Sequence, residues 1–65
     1  MYEVTAEFAD YSLSLIARCS TLRDALANLA AVAQRDYESD SQLPLMNMEI
    51  TLDKEVIICH VVNLF

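Results

Sequence analysis

The N-terminal part of the chain alternates apolar and polar residues in two short segments. One runs from Tyr2 to Phe8 and the other from Leu13 to Cys19. A period of two residues is typical of strands that bury one face. The pattern predicts strands over 2–8 and 13–19, joined as a hairpin whose turn uses Asp10, since the chain has no glycine to place there.

This hairpin has a register that gathers its apolar side chains on one face of the sheet. The expected facing pairs are Phe8 with Leu13, Ala6 with Leu15, Val4 with Ala17 and Tyr2 with Cys19. The same register leaves Glu3 and Glu7 on the outward face.

A helical period follows the hairpin. The apolar residues that recur at three- and four-residue spacing are Leu22, Leu26, Leu29, Ala30 and Ala33. They predict a helix over about 22–37, capped by Thr21 and with Asp24 at the positive end of its dipole. We expect this helix to cover one face of the sheet, because a chain this short has no other element to do so. Asp36 to Pro44 is expected to end the helix and form a polar loop.

Two more strands complete the predicted fold. Alternation returns over 46–52, and 55–64 is apolar on both parities, with a turn at Asp53 and Lys54 between them. The expected architecture is α+β, a ββαββ chain with a four-stranded, mainly antiparallel sheet and one helix on one face. The second strand, the helix and the third strand are expected to form a right-handed crossover.

The strand order is expected to place the fourth strand inside the sheet, because it is apolar on both faces. The predicted order is 2-1-4-3, with 1-2-4-3 as the alternative. A two- or four-residue turn at Asp53 and Lys54 would direct Ile57, Cys59 and Val61 toward the helix. The opposite face would then receive Ile58, His60, Val62 and Leu64, and a three-residue turn would exchange the two sets. Either register leaves an apolar strip away from the helix, which is a candidate interface with another protein or a second copy.

Composition narrows the possible functions. The chain has 65 residues, which is enough for a single domain over 1–65 with one small core. Without glycine it has neither a GxGxxG turn nor a Walker-type loop, because both bring backbone N–H groups close to a phosphate. A net charge of -6 argues against direct binding of nucleic acid. We therefore expect the partner to be a basic protein surface and not a nucleic acid.

The residues that could carry catalysis are few. Cys59 and His60 are adjacent in a strand, so their side chains project to opposite faces and cannot share one metal ion or proton. A zinc site needs further ligands, and only Cys19 offers another thiol. We therefore expect free thiols, no metal, no cofactor and no catalytic residue, and a protein that is not an enzyme.

The sequence also bears on location. Met1 to Val4 lack the positive and apolar regions of a secretory signal, and no apolar run approaches the length of a membrane span. We expect a cytoplasmic protein that does not contact a membrane.

The carboxylates are the strongest candidates for a functional surface. Some lie on the outward parity of strands, some follow the helix, and the others lie around the second turn. The candidate partner-binding residues are Glu3, Glu7, Asp36, Glu38, Asp40, Glu49, Asp53 and Glu55. Rows of carboxylates with few compensating bases would present negative points, as a nucleic-acid backbone does, to a protein built to bind one.

In its length, acidity and lack of glycine, from MYEVTAEFADYSLSLIARCS to VIICHVVNLF, the chain resembles phage-encoded anti-CRISPR proteins, especially inhibitors of type I systems such as type I-C. The resemblance covers the whole chain without a signature motif, so no family residue is transferred. It implies a protein of the bacterial host cytoplasm that occupies a basic nucleic-acid path on Cascade, or on one of its Cas subunits, and blocks target-DNA binding or nuclease recruitment. The alternative is a homodimeric structural or regulatory module that associates through its apolar sheet face.

Overall fold

The computed structural model describes residues 1–38 and 45–61, and the side chains of 1–35 and 45–61. Its elements are β1 (Tyr2–Phe8), β2 (Leu13–Cys19), α1 (Leu22–Glu38), β3 (Leu45–Leu52) and β4 (Glu55–Val61). The α+β class and the ββαββ order are confirmed. Asp40, the rest of the predicted loop to Pro44, and the predicted continuation of the fourth strand over 62–64 lie outside the described residues.

The sheet is antiparallel throughout, but its strand order differs from both predicted orders. The order is β2-β1-β3-β4, so β1 and β3 are central and β4 is an edge strand. The prediction that β4 lies inside the sheet was wrong. Its apolar side chains are largely exposed, with Val56 and Val61 each at 54%.

The observed order is compatible with the width of the helix. β2 and β3 are both antiparallel to β1, so they run parallel to each other with β1 between them. Strands lie about 4.8 Å apart and a helix with its side chains is about 10 Å across, so one helix spans a crossover that skips a single strand. The order 2-1-4-3 would have required the same helix to skip two strands, whereas the alternative 1-2-4-3 skips one, so the width of the helix argues only against the first.

A bulge changes the predicted register of the first hairpin. Tyr2 faces Cys19 and Val4 faces Ala17, as expected, but Thr5 then faces Leu15 across a register shift. The other two expected pairs were wrong. Ile16 is the extra residue on β2, and it packs against the core. Because Ile16 is an extra residue in the ladder, the residues before it on β2 project to the face opposite the one expected. Leu13 and Leu15 therefore face away from the helix.

The first turn closes without glycine. The backbone N–H of Tyr11 donates to the carbonyl of Phe8 at 2.8 Å, and Tyr11 takes a left-handed φ of 67°. Asp10 stabilises the turn, as predicted, because its Oδ1 accepts from the Ser12 backbone N–H at 3.0 Å and from the Ser12 hydroxyl at 2.6 Å. These hydrogen bonds, the hydroxyl first, lower the pKa of the Asp10 carboxyl.

The second hairpin turns at Asp53 and Lys54, as predicted, and of the turn lengths considered it has two residues, but its faces are not those expected for that length. Asp53 and Lys54 both have positive φ, 51° and 69°, and Leu52 faces Glu55 across the turn. Two-residue hairpin turns of this type need positive φ at both central residues, because the twist of the turn then matches the twist of the strands. A register shift then skips Ile57, so that Ile50 faces Ile58.

On β4 this register shift exchanges the two faces expected for a two-residue turn. Ile58 and His60 face the helix side, opposite Ile50 and Met48, whereas Cys59 and Val61 face away from it. The expectation that a two-residue turn directs Cys59 and Val61 toward the helix was wrong, because it assumed a regular ladder.

Helix α1 begins as predicted and extends one residue further. Thr21 Oγ1 accepts from the Asp24 backbone N–H at 3.2 Å, which makes Thr21 the N-cap. Asp36, which lies within the predicted helix range, and Glu38 are both in the last turn of the helix, so the helix continues further into the predicted loop segment than expected. Glutamate is a good helix former, and no proline or glycine interrupts the chain before Pro44.

The core lies between α1 and strands β1, β2 and β3, which are the strands the helix contacts. Its most buried side chains have at most 1% exposure and are Val4, Ala6, Ala25, Leu45, Met48 and Ile50. Ala25 and Leu29 form the buried side of the helix, whereas Leu26, expected on that side, is 42% exposed. Because Ala25 is small, the helix lies close to the sheet.

Candidate functional site: the open face of the sheet

The face of the sheet opposite α1 carries side chains from all four strands, which we call the open face. Its positions follow from the register, because facing residues of neighbouring strands project to the same side. From β2 to β4, one row is Arg18, Glu3, Thr51 and Val56, the next is Leu15, Thr5, Glu49 and Cys59, and the last is Leu13, Glu7, Asn47 and Val61.

The centre of this face is acidic. Glu3 and Glu7 on β1 and Glu49 on β3 are half-buried and alternate with neutral polar residues. The predicted outward orientation of these carboxylates is confirmed. Facing Cβ atoms are about 5 Å apart and diagonal ones about 7–8 Å, so Glu49 is a diagonal neighbour of both Glu3 and Glu7.

The glutamates differ in their partners. Glu3 Oε2 pairs with the Arg18 Nε at 3.1 Å, in a salt bridge whose side chains are 38% and 65% exposed. Glu7 Oε1 accepts a hydrogen bond from Asn47 Nδ2 at 3.0 Å. Within the described residues, Glu49 has neither a hydrogen bond nor an ion pair. The open face therefore has one neutralised end and an uncompensated centre.

Asn47 carries a second unpaired acceptor. Its Nδ2 donates to Glu7, whereas its Oδ1 is buried and accepts no hydrogen bond. Buried polar atoms without a partner are rare in folded proteins, because each loses its hydration without compensation. Within the described residues the buried Oδ1 of Asn47 has no donor, whereas the half-buried carboxylate of Glu49 remains open to hydration.

Apolar columns lie on both sides of the acidic centre. On β2, Leu13 is 72% and Leu15 47% exposed, and on β4 Val56 and Val61 are each 54% exposed. An apolar surface away from the helix was predicted, but Ile58 and His60, which one predicted register placed there, face the helix side. The bulges at Ile16 and Ile57 determine which apolar residues reach the open face.

The other predicted site residues do not join this face. Asp53 lies in the second turn, and Glu55 faces Leu52 on the helix side. Asp36 and Glu38 lie in α1, and Asp40 is outside the described residues. Of the predicted site residues whose side chains the structure describes, Glu3, Glu7 and Glu49 lie together on the open face.

Sequence reasoning missed Arg18 and Asn47 as members of this surface. The predicted hairpin register already placed Arg18 opposite Glu3, which was the available signal. Asn47 lies beside Glu7 only because β1 pairs with β3, and the predicted orders did not contain that pairing.

The thiols and the histidine are not arranged for nucleophilic or metal chemistry. Cys19 is buried and Cys59 is exposed on the other face, where it lies opposite Glu49. Reactive thiolates need an electropositive neighbourhood, and a glutamate is the opposite. Among residues 1–38 and 45–61, no cluster of His, Cys, Asp and Glu could hold a metal ion.

Comparisons with protein-family models, with curated proteins and with solved structures found no match. The described part of the chain has no helix whose length and apolar character would allow it to cross a membrane.

Proposed function

We propose that this protein is a non-enzymatic inhibitor whose open face binds a positively charged surface of a nucleic-acid-binding protein complex. The observation that carries the proposal is the placement of Glu3, Glu7 and Glu49 on one face, between two apolar columns. Following the resemblance to type I anti-CRISPR proteins, the target is Cascade or one of its Cas subunits. Binding there prevents Cascade from binding target DNA.

Charge and apolar area have separate roles in this proposal. The net charge of -6 accelerates the encounter with a groove lined by Lys and Arg, an attraction screened beyond about 8 Å at physiological salt. The apolar columns then exclude water around the charged contacts and slow dissociation. Raising the salt concentration should therefore reduce the association rate more than it increases the dissociation rate.

The test is a charge reversal with a matched control. Glu3, Glu7 and Glu49 are changed together to Lys, and in the control Asp36, Glu38 and Glu55 are changed to Lys, which alters the net charge equally outside the open face. Both variants are compared with the wild-type protein in capture of purified type I-C Cascade at low and high salt, and in target-DNA binding by Cascade. Thermal unfolding verifies that both variants are folded.

We expect the open-face variant to lose capture and inhibition and the control variant to retain both. Undiminished inhibition by the folded open-face variant would refute the proposal. Equal loss in both variants would assign the effect to net charge, and failure of the wild-type protein to bind Cascade would exclude this target.

A homodimeric module is the second candidate, because Leu13, Leu15, Val56 and Val61 are exposed on one face. It predicts twice the monomer mass in light scattering, and a return to the monomer for Val61→Asp. Ile58 is unsuitable for this test because it packs against the core. A monomer at high concentration would exclude this candidate.

A further inference from the structure

Strand β4 is an edge strand that lacks most of the features that keep an edge from pairing with another chain. An edge presents a row of unpaired backbone N–H and C=O groups, which proteins commonly block with charged side chains, a proline or a covering helix. Residues 56–61 of β4 include no proline, Asp, Glu, Lys or Arg. Within the described residues, α1 contacts the other three strands but not β4, and no segment pairs with the outer edge of β4.

The opposite edge of the sheet, β2, is better protected. Helix α1 packs against β2, and the charged side chain of Arg18 projects from it, 65% exposed. The bulge at Ile16 also interrupts the middle of β2. On β4 the extra residue, Ile57, comes near the start of the strand, so the ladder is regular over 58–61. Of the two edges, β4 is therefore the one available for pairing.

We propose that two copies of this chain pair through their β4 strands, antiparallel and centred on Cys59, so that the two sheets join into one. In this register Cys59 faces Cys59 of the second copy, and Ile58 faces His60 of the second copy. Ile57 faces Val61 at each end of the paired segment. The contact is two-fold symmetric, so it pairs the exposed edges of both copies at once.

The residues of β4 favour this register and a second copy as the partner. Ile58 and His60 both lie on the helix side of the sheet and Cys59 lies on the open face, so facing residues project to the same side. A centre at Ile58 would instead bring Val56 opposite His60, and these two side chains are on different faces. Glu55, the one carboxylate of β4, lies outside the paired segment, so no carboxylates oppose each other there.

This dimer differs from the homodimeric module considered above. That module buries the open face, whereas edge pairing leaves the open faces of both copies accessible on the same side of the joined sheet. The inference involves only this chain, so it does not depend on the identity of a target.

The charge of the protein predicts how the dimer responds to salt. Each copy carries a net charge of -6, so two copies repel each other and salt screens that repulsion. Dimerisation should therefore strengthen as salt is raised, whereas binding of a basic target should weaken. So short a paired segment makes a small interface, and we expect a dissociation constant on the order of 0.1 mM.

The first experiment measures the mass of the full chain by sedimentation equilibrium over a range of protein concentrations, at low and high salt. Ile57→Lys places a charge on the paired edge and should weaken dimerisation by about tenfold or more. Leu13→Lys makes the same kind of change at an exposed residue of β2 and should alter it less than about twofold. The two variants have the same net charge, and thermal unfolding verifies that both are folded.

A thiol crosslink tests the register without changing the paired edge. Facing Cα atoms of antiparallel strands are about 4.5 or 5.5 Å apart, and a disulfide spans about 4.4–6.8 Å. Oxidised glutathione, which is reduced to glutathione as the disulfide forms, should convert the wild-type protein to a dimer linked through Cys59. The matched control is Cys59→Ser with Ser14→Cys, which moves the exposed thiol to the β2 edge and should give several-fold less crosslinked dimer.

The outcomes distinguish this dimer from the proposed function. A protein that stays monomeric at high concentration and high salt, or equal weakening by Ile57→Lys and Leu13→Lys, would overturn the edge dimer even if Cascade is captured. Loss of dimerisation in Leu13→Lys alone would assign it to the open face, and a dimer without the Cys59 crosslink would overturn the register. Weakening by Ile57→Lys alone, together with the crosslink, would support the edge dimer even if Cascade is not the target.

Discussion

The two faces of the sheet are built from the same four strands and differ in burial and polarity. On the helix side, Val4, Met48 and Ile50 are fully buried. On the open face, their sequence neighbours Thr5, Glu49 and Thr51 are half-buried and polar. A strand projects successive side chains to opposite sides, so adjacent residues experience different environments. The helix side stabilises the fold, and the open face is free to carry charge.

The two faces also differ in whether they contain polar groups without partners. Among the described residues, the buried set contains no polar or charged residue. The open face instead carries Glu49 and the Asn47 Oδ1 without partners. Uncompensated polar groups weaken a fold, and they are a recognised sign of a surface that serves binding. Stability and binding should therefore respond to different substitutions.

The largest expected effect is on the free energy of unfolding, and it distinguishes two adjacent residues of β3. Ile50→Ala removes a fully buried side chain and should lower the free energy of unfolding by about 2–5 kcal/mol, whereas Thr51→Ala should change it by less than about 1 kcal/mol. Because a domain of this size has roughly 3–10 kcal/mol of stability, the first change could unfold it at room temperature. Urea denaturation monitored by circular dichroism measures both. Similar losses would contradict the division into two faces.

The next effect is on the stability of helix α1 and tests its N-cap, Thr21. Thr21→Ala removes the acceptor of the Asp24 N–H and should cost about 0.5–2 kcal/mol, whereas Thr21→Ser keeps a hydroxyl and should cost less. The open face is not involved, so NMR shifts of Glu7 and Glu49 should not change. Movement of those signals would show that the two faces are coupled.

A smaller effect concerns the salt bridge on the open face. A double-mutant cycle with Glu3→Gln and Arg18→Met should give a coupling energy of about 0.2–1 kcal/mol, because both side chains are well exposed and screened by solvent. The coupling, measured by denaturation, should decrease further in 0.5 M salt. A coupling of several kcal/mol would indicate that the open face also determines stability.

The smallest effect lies at the first turn, outside both faces. The pKa of the Asp10 carboxyl is lowered by the Ser12 hydroxyl and then by the Ser12 backbone N–H. A lowered folded-state pKa contributes stability above the unfolded pKa, near 3.9, and this contribution is lost as the pH falls through the folded value. Asp10→Asn should therefore reduce the difference in melting temperature between pH 6 and pH 2. An unchanged difference would argue against the Asp10 contribution.

Local patterns predicted most of the secondary structure. Alternation identified the segments of three strands, an apolar run identified the fourth, and the leucine and alanine spacing identified the helix, with Thr21 as its cap. Ends were less accurate: the helix includes Glu38 and β3 begins at Leu45. Propensity changes little between neighbouring residues, so patterns locate elements better than their ends.

The candidate site was predicted only in part. The outward parity of Glu3, Glu7 and Glu49 followed from alternation within single strands, and the structure places them on one face. For β4 the sequence left two sets of faces open, and the set expected for a two-residue turn was wrong, because one extra residue in a ladder exchanges its faces. Nothing in the local pattern marks Ile16 or Ile57 as the bulged residue.

The sequence by itself determined the elements of this protein, the buried and outward parities of β1 and β3, and turns made without glycine, because these depend on residues close together in the chain. Only the tertiary structure decided that β1 pairs with β3, that β4 lies at the edge, and that Glu49 remains unpaired while Glu3 has Arg18. Strand order and bulges depend on contacts between residues that are far apart in the chain. Those contacts involve the whole chain, so no short segment encodes them.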